Sequence, residues 1–421
     1  MRVCCEGRLA PSWPGPGGTS VGDNGLAMRR LAKIVFWPAA GLIAWTQVGY
    51  ALALAVLARA SGRRASAKRS PSGHGTPAPT PAEPPPPVSL IVAAHDEEGV
   101  IGEKVAEALA QDYPPGLLEV VVSCDGCSDG TARRAREAGA DLVLELPRAG
   151  KVRAQDAGVA AARGELVAFS DANARWEPDA LARLVEAFSD PRVGYVCGQV
   201  RFVQAGAGAA ATNQEGLYWR YETAVRALES RLASITAGNG AIYATRRESY
   251  LVVDAVMGHD LSFPFNMVKR GWRAVYAPAA RASEKMVPSI EGEFARKRRM
   301  MSHTWPIVLR GGMLSPRGYG PGYAAMIVSH RLLRYLTPGL HALALTTSLY
   351  LAVDGAGRVY DAALAVQLVV LAGAALAGAL RARPLLIARY YVLTTSSPAA
   401  GLWDWLRHGT TAGWEAAEGT R

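Results

Sequence analysis

VSLIVAAHDEEGVIGEKVAEALAQ, residues 88 to 111, decides the fold. Seven apolar or small residues follow one another with no polar alternation. A strand of that kind shows water neither face, so it belongs inside a sheet covered on both sides. An acidic turn, His95-Asp96-Glu97-Glu98, leads into helix-like spacing from about Val100 to Gln111. The same grammar repeats downstream. LLEVVVSC (117–124) reads as a strand, followed by DGCSDG and a helix over 131–138. ADLVLEL (140–146) is a third strand, 151–162 a further helix, and ELVAFS (165–170) a fourth strand. Strands alternating with helices at this spacing predict βαβ units, an α/β fold and a mostly parallel sheet. Right-handed crossovers gather the C-terminal strand ends on one edge, where such folds bind ligands. Asp96, Asp125 and Asp171 all fall at that edge. One acidic residue after a strand is an ordinary turn former; three together point to a ligand.

Outward from this core, the composition changes twice. Half of the 421 residues are hydrophobic, only 19% are charged, and the net charge is +10. Residues 1–30 are rich in Gly and Pro and predict a disordered N-terminus, with Met28 a candidate alternative start. Ile34 to Ala58 carries no charge and is flanked by Arg29, Arg30 and Lys33 on one side and Arg59, Arg63 and Arg64 on the other. About 20 apolar residues span a bilayer, so a transmembrane helix is expected over 31–60. A basic, Pro-rich linker covers 61–87, its Lys68 and Arg69 suited to anionic lipid. The α/β domain occupies 88–320. A C-terminal membrane region, 321–421, holds apolar stretches at 335–353 and 362–380 and a weaker one at 382–403, which contains Arg389. Arg381, Arg383 and Arg389 favour the cytosol, and crossing back places 88–320 on that same side. Membrane lipids account for the basic excess better than nucleic acid does, because much of it lies beside the apolar segments. The five cysteines are too unevenly placed for a disulfide framework, and the CxxC of Cys124 and Cys127 has no second pair to complete a zinc site.

Four motifs in order carry a resemblance: VSLIVAAHDEE, VVVSCDGCSDGT (120–131), GKVRAQDAGVAAARGELVAFSDAN (150–173), and GHD (258–260) followed by GWRAVYAP (271–278). Together they resemble the family 2 glycosyltransferases, inverting enzymes of GT-A fold, several of them membrane-bound, over roughly Val88 to Trp305. The resemblance implies a nucleotide-sugar donor, with UDP the commonest nucleotide, and a divalent cation, Mg²⁺ or Mn²⁺. Hard oxygen ligands suit either ion, and the departing diphosphate needs its charge neutralised. By the same resemblance His95 and Glu97 lie on the nucleotide turn, Asp125 meets the base edge, and Lys151 lies near the nucleotide or phosphate. Asp171 and Asn173, a DxN where DxD is usual, hold the metal and diphosphate. Gly238-Asn239-Gly240 lies near the acceptor, Arg299 near the diphosphate, and Asp260 is the general base. The acceptor expected from a membrane location is a lipid-linked or cell-envelope glycan.

The chain also departs from the family pattern. His259 stands where the first acid of an acidic pair is usual. Arg296-Lys297-Arg298-Arg299-Met300, with Trp305 further on, replaces the Q-x-x-R-W of processive synthases. Each candidate also has a plainer reading. His95 and Glu97 could form a surface turn, Lys151 a solvated helix start, Asp260 a helix cap, and 296–299 a basic interfacial helix. Asp129 reads as a helix N-cap. Two other functions compete: a non-catalytic nucleotide-sugar-binding scaffold, and a nicotinamide oxidoreductase. The latter needs G-x-G-x-x-G after the first strand, where this chain has AAHDEEGVIG.

Overall fold

The structure, a computed structural model, describes residues 21–68, 84–203, 209–285, 287, 289–380 and 382–413. Eight strands form one sheet: β1 Val88–Ala94, β2 Leu118–Asp125, β3 Leu142–Leu146, β4 Leu166–Asp171, β5 Arg175–Trp176, β6 Val193–Val203, β7 Ile242–Arg246 and β8 Arg273–Lys285. Their order is β3-β2-β1-β4-β7-β6-β8-β5. The first four are parallel, as the βαβ spacing requires. β7 then runs antiparallel to both β4 and β6, so the sheet is mixed rather than parallel throughout. Ala93 pairs with Asp171 and Ala94 with Cys124. That register brings the ends of β1, β2 and β4 to one level, and with them the acidic edge read from the sequence.

β1 is buried at all seven positions. Leu90 and Val92 point into one core with Ile101, Val105 and Leu181, while Ile91 points into the other with Phe169, Tyr243 and Phe263. Each such side chain contributes about 1.5–3 kcal/mol on leaving water, which explains why the strand tolerates no polar residue on either face. The helices Ile101–Leu109, Thr131–Glu137 and Ala180–Glu186 cover the first face; Lys151–Ala161 and His259–Lys269 cover the second.

The flanking helices form a separate layer. The N-terminal helix begins at Val21, so residues 21–30 are helical rather than disordered. It passes through a π turn at Trp45–Gly49 and continues as Tyr50–Lys68. Most of the expected linker, 69–83, lies outside the described residues, as do 1–20. Pro321–Tyr335 and Thr337–Val353 are bent against each other by 63°. Pro338 lies at that break: its ring cannot donate to the carbonyl four residues back and crowds it. Gly25–Ser61 and Arg358–Leu380 are long and apolar enough to cross a membrane, and the bent pair makes a third if it is one span. The segment expected at 382–403 does form a helix, Arg383–His408, but it is not among these spans. It packs along the helices Ile290–Leu309 and Arg358–Leu380. Its polar residues explain why: Arg389 pairs with Glu291 at 2.8 Å and Asp404 with Arg298 at 2.6 Å.

A buried polar network joins the two layers. The Tyr50 hydroxyl donates to Glu229 at 2.6 Å, and His330 Nδ1 lies 2.7 Å from the same oxygen. The Thr236 backbone N–H donates to Glu229 at 3.0 Å, and Arg331 donates to the Thr236 hydroxyl at 2.8 Å. Tyr50 comes from the N-terminal helix, Glu229 from the helix Ala209–Leu232, and His330 and Arg331 from the bent segment.

Candidate active site

The acidic turn after β1 clamps the loop after β2. Asp96, in the left-handed region at φ 50°, accepts from the Ser128 N–H at 2.7 Å. The Glu97 N–H donates to the Thr131 hydroxyl at 2.8 Å, and Glu98 accepts from the Gly130 N–H at 3.1 Å. Asp129 accepts from the Thr131 N–H at 3.0 Å, one residue ahead of Gly130, the N-cap of the next helix. His95 and Glu97 are buried within this clamp. His95 Nδ1 stands 2.7 Å from the Asp125 carbonyl oxygen, so Nδ1 carries the proton and Nε2 is left to accept from Arg148, which lies against it. Arg148 was not anticipated from the sequence. His95, Asp96 and Cys127 come close enough to share a cation, but the Arg148 guanidinium already covers that ring, and a metal there would face a fixed positive charge.

Asp125, buried at the end of β2, accepts from the Ala149 N–H at 2.6 Å and the Gly150 N–H at 3.0 Å. It thereby bends the chain into the helix that begins with Lys151. Gly150 has φ 97°, and a Cβ there would lie 2.2 Å from the Ala412 carbonyl oxygen. No other residue fits without displacing the C-terminal segment, which crosses this turn and is tied back by Thr410 donating to the Ser302 carbonyl at 2.9 Å.

Lys151 reaches the end of β4, where its ammonium pairs with Asp171. Burial alone would lower the lysine; the Asp171 carboxylate, with Glu284 and Asp260 behind it, more than offsets this and holds it above the usual range. Glu284, near the end of β8, is a second residue that motif reading missed. Burial and the Asp171 charge push it up to about 7. Its one signal in the sequence was an acid closing a long strand.

The turn after Asp171 is braced from beneath. Lys104 is almost fully buried; its Nζ donates to the Ala174 carbonyl and to Glu107, each at 2.8 Å. Trp176 Nε1 donates to the Ala241 carbonyl at 3.0 Å, tying this turn to the one at Gly238-Asn239-Gly240. In that second turn the Asn239 amide donates to the Gly198 carbonyl at 2.7 Å and accepts from the Ile242 N–H at 2.9 Å, so it holds the turn's shape. A Cβ on Gly238 would meet the Tyr195 hydroxyl at 2.0 Å.

Asp260 lies in the first turn of the helix His259–Lys269, and its backbone carbonyl accepts from the Gly238 N–H at 2.7 Å. Its side chain lines a cavity of about 760 Å³ that also touches Gly238. The neighbouring His259 faces the opposite way. It stacks on Phe263 at 4.1 Å, with Nδ1 2.8 Å from the Tyr243 hydroxyl. Burial, and then the Lys151 charge, lower it to about 3. An acid here would be sunk among aromatic rings, which accounts for the departure from an acidic pair. The helix Ile290–Leu309 presents Arg296 and Lys297 to the cavity, whereas Arg299 is exposed on its outer side.

The His259 environment has a consequence for stability. Its folded value lies below the ordinary 6.5, so its contribution is complete above pH 6.5 and is lost as the pH falls toward 3. We expect a loss of about 2 kcal/mol between pH 6.5 and 5 from this one residue. Thermal midpoints of the wild type and His259→Gln over that range check it: the variant's midpoint should vary less with pH, and parallel curves would exclude the effect.

The fold and the edge geometry define a GT-A domain, and the comparisons agree. Residues 85–302, just over half of the chain, match the family described as glycosyltransferase like family 2. The chain belongs to that family. An N-acetylglucosaminyltransferase of Rhizobium meliloti is 27% identical over 221 residues, 48% of this chain and 52% of the relative. A beta-monoglucosyldiacylglycerol synthase of Trichormus variabilis is 35% identical over 129 residues, 28% of this chain and 27% of the relative. The chain thus spans about half, or less, of these relatives' length. A mannosyltransferase from Pyrobaculum calidifontis, PcManGT, solved with GDP-Man and Mn²⁺, shares the fold with a TM-score of 0.59. The likeness covers 85% of this chain and 98% of that one, at 24% identity.

Proposed function

We propose that the protein is a membrane-anchored inverting glycosyltransferase. It moves a sugar from a nucleotide diphosphate, UDP being the first to test, to a lipid-linked or cell-envelope glycan acceptor. The observation that carries this reading is the cavity in which Asp260 faces both the Gly238 turn and the apolar helices. The acceptor hydroxyl oxygen attacks the anomeric carbon, its proton passes to the Asp260 carboxylate, and the bond from that carbon to the diphosphate breaks. The nucleoside diphosphate then leaves from the edge formed by β1, β2 and β4. His95, Glu97 and Asp125 shape the nucleotide end of that edge, and Lys151 neutralises part of the diphosphate charge.

The residues present fit a hard divalent cation. Asp171 and Asn173 offer oxygens at the strand end, and Glu284 adds an acid raised first by burial and then by the Asp171 charge, the second of which a cation would relieve. When bound, the ion would supply charge neutralisation for the leaving group. Arg296 and Lys297, rather than Arg299 alone, are placed to add positive charge from the cavity side.

Anchoring follows from the helices. Val366, Val369 and Leu380 on Arg358–Leu380 are more than half exposed, as are Leu52 and Val56 on the N-terminal helix. The 23-residue helix is about 34 Å long at 1.5 Å per residue, enough for the hydrocarbon core. The basic ends favour an inner-membrane, multi-pass arrangement with the catalytic domain cytosolic. The decisive experiment assays membranes holding the full chain against a panel of nucleotide sugars, with and without Mn²⁺. One donor should give acceptor-dependent nucleotide release that falls on chelation. No turnover with any donor would reject the enzyme reading in favour of a scaffold.

A further inference from the structure

The cavity beside Asp260 is unusual in its charge. Seven cationic side chains line it, against two carboxylates, Glu222 and Asp260. Some of this charge is balanced nearby: Arg334 pairs with Glu222, and Arg296 and Lys297 pair with Glu293. Arg226 and Arg331 are different. They are only 5% and 8% exposed. Arg226 donates to the Gly238 carbonyl at 3.1 Å and Arg331 to the Thr236 hydroxyl at 2.8 Å, both neutral acceptors. Neither forms an ion pair among the described residues. The nearest acids are engaged elsewhere, Glu222 by Arg334 and His330, and Glu229 by Tyr50, Thr236 and His330.

Among carboxylates Arg226 feels Glu222, and Arg331 feels Glu222 and Glu229, charges already shared with Arg334 and His330; burying a guanidinium with so little counter-charge of its own is costly. Two of them in the wall of one cavity, beside the proposed base, suggest that the anion arrives with the ligand. Much of the remaining wall is apolar or aromatic, with Leu261, Met301, Tyr335 and Ile387 along it, interrupted by hydroxyls such as those of Thr394 and Thr395. Arg383 stands at the start of the last helix as a further cation on the same cavity. Arginine suits phosphate because its planar fork makes paired, charge-assisted hydrogen bonds.

We propose that this cavity is the acceptor subsite for an anionic lipid, in which a phosphate joins a long apolar chain to the hydroxyl-bearing headgroup. Arg226 and Arg331 hold the phosphate, the chain lies along the helix Arg383–His408, and the headgroup hydroxyl is presented to Asp260. The inference rests on the transferase reading and narrows its acceptor to a phosphate-bearing lipid.

The test uses the full chain in neutral detergent and three probes: phosphatidylglycerol, diacylglycerol and glycerol 3-phosphate. These carry the phosphate and chain together, the chain alone, and the phosphate alone. Phosphatidylglycerol should raise the thermal midpoint and bind at least about tenfold more tightly than either of the others, the effect of one lost charged hydrogen bond. Arg226→Gln and Arg331→Gln should each remove about that tenfold advantage. Arg226→Lys, Arg331→Lys and Arg383→Gln should retain part of it, and they stand in where a glutamine variant does not fold. Equal binding of diacylglycerol makes this a neutral-lipid site and overturns the proposal. Equal binding of glycerol 3-phosphate makes it a free-anion site and also overturns it, as do glutamine variants that keep the preference. Nucleotide-sugar binding is measured alongside: its presence without lipid discrimination defeats this inference alone, whereas its absence in the wild type defeats the transferase reading.

Discussion

Asp260→Asn is expected to lower sugar transfer by about 10²- to 10⁴-fold while leaving nucleotide-sugar affinity unchanged. The amide matches the carboxylate in shape but cannot take the acceptor's proton. The bond that fixes this position comes from the Asp260 backbone carbonyl and the Gly238 N–H, so the substitution leaves it intact. The helix His259–Lys269 is held by Leu261, Phe263, Phe265 and Met267, all buried, and should not notice the change. Parallel measurement of transfer and of nucleotide binding separates chemistry from folding. A variant with full transfer would remove Asp260 from the mechanism; one that has lost both would indicate a structural role.

Lys104→Met should cost about 3–5 kcal/mol of stability, because it strips one partner from a buried charged contact. Burial draws the ammonium below the ordinary lysine range, and Glu107 opposes that shift. Once the charge is gone, the Ala174 carbonyl loses its donor and Glu107 keeps only the Trp176 N–H at 2.8 Å. The turn carrying Asp171 and Asn173 then rests on less, so donor affinity should fall along with the thermal midpoint. Adding Glu107→Leu should restore part of the stability, since an apolar pair of similar size replaces an uncompensated acid. No rescue by the second substitution would mean that the loss came from packing on Trp176, whose ring lies 5.2 Å from the ammonium.

The parallel half of the sheet was legible because its strands are covered on both faces and its crossovers are short. Apolar runs, acidic turns and helix periods followed one another with little between them. The antiparallel half was harder to read. β6 and β8 are long and irregular, with register shifts near Tyr195 and Gln199 that no periodicity signals. Within the site, residues at strand ends could be placed from sequence, as Asp125 and Asp171 were. Arg148, Glu284 and Arg331 could not, because each meets its neighbours only through distant segments folded together. The helix Arg383–His408 was only half legible for a related reason. Its apolar residues suggested lipid, but its charges are answered by partners about a hundred positions earlier in the chain.

The cavity's walls have separate origins. Asp260 and Gly238 belong to the α/β domain, whereas Tyr335, Ile387 and Arg383 belong to the helices that follow it. The proposed base and part of the proposed acceptor wall therefore lie in different parts of the chain, while Arg226 stands with the base. On the proposed acceptor site, exchanging residues 321–413 between relatives should shift lipid preference only in part, because Arg226 stays behind with Asp260.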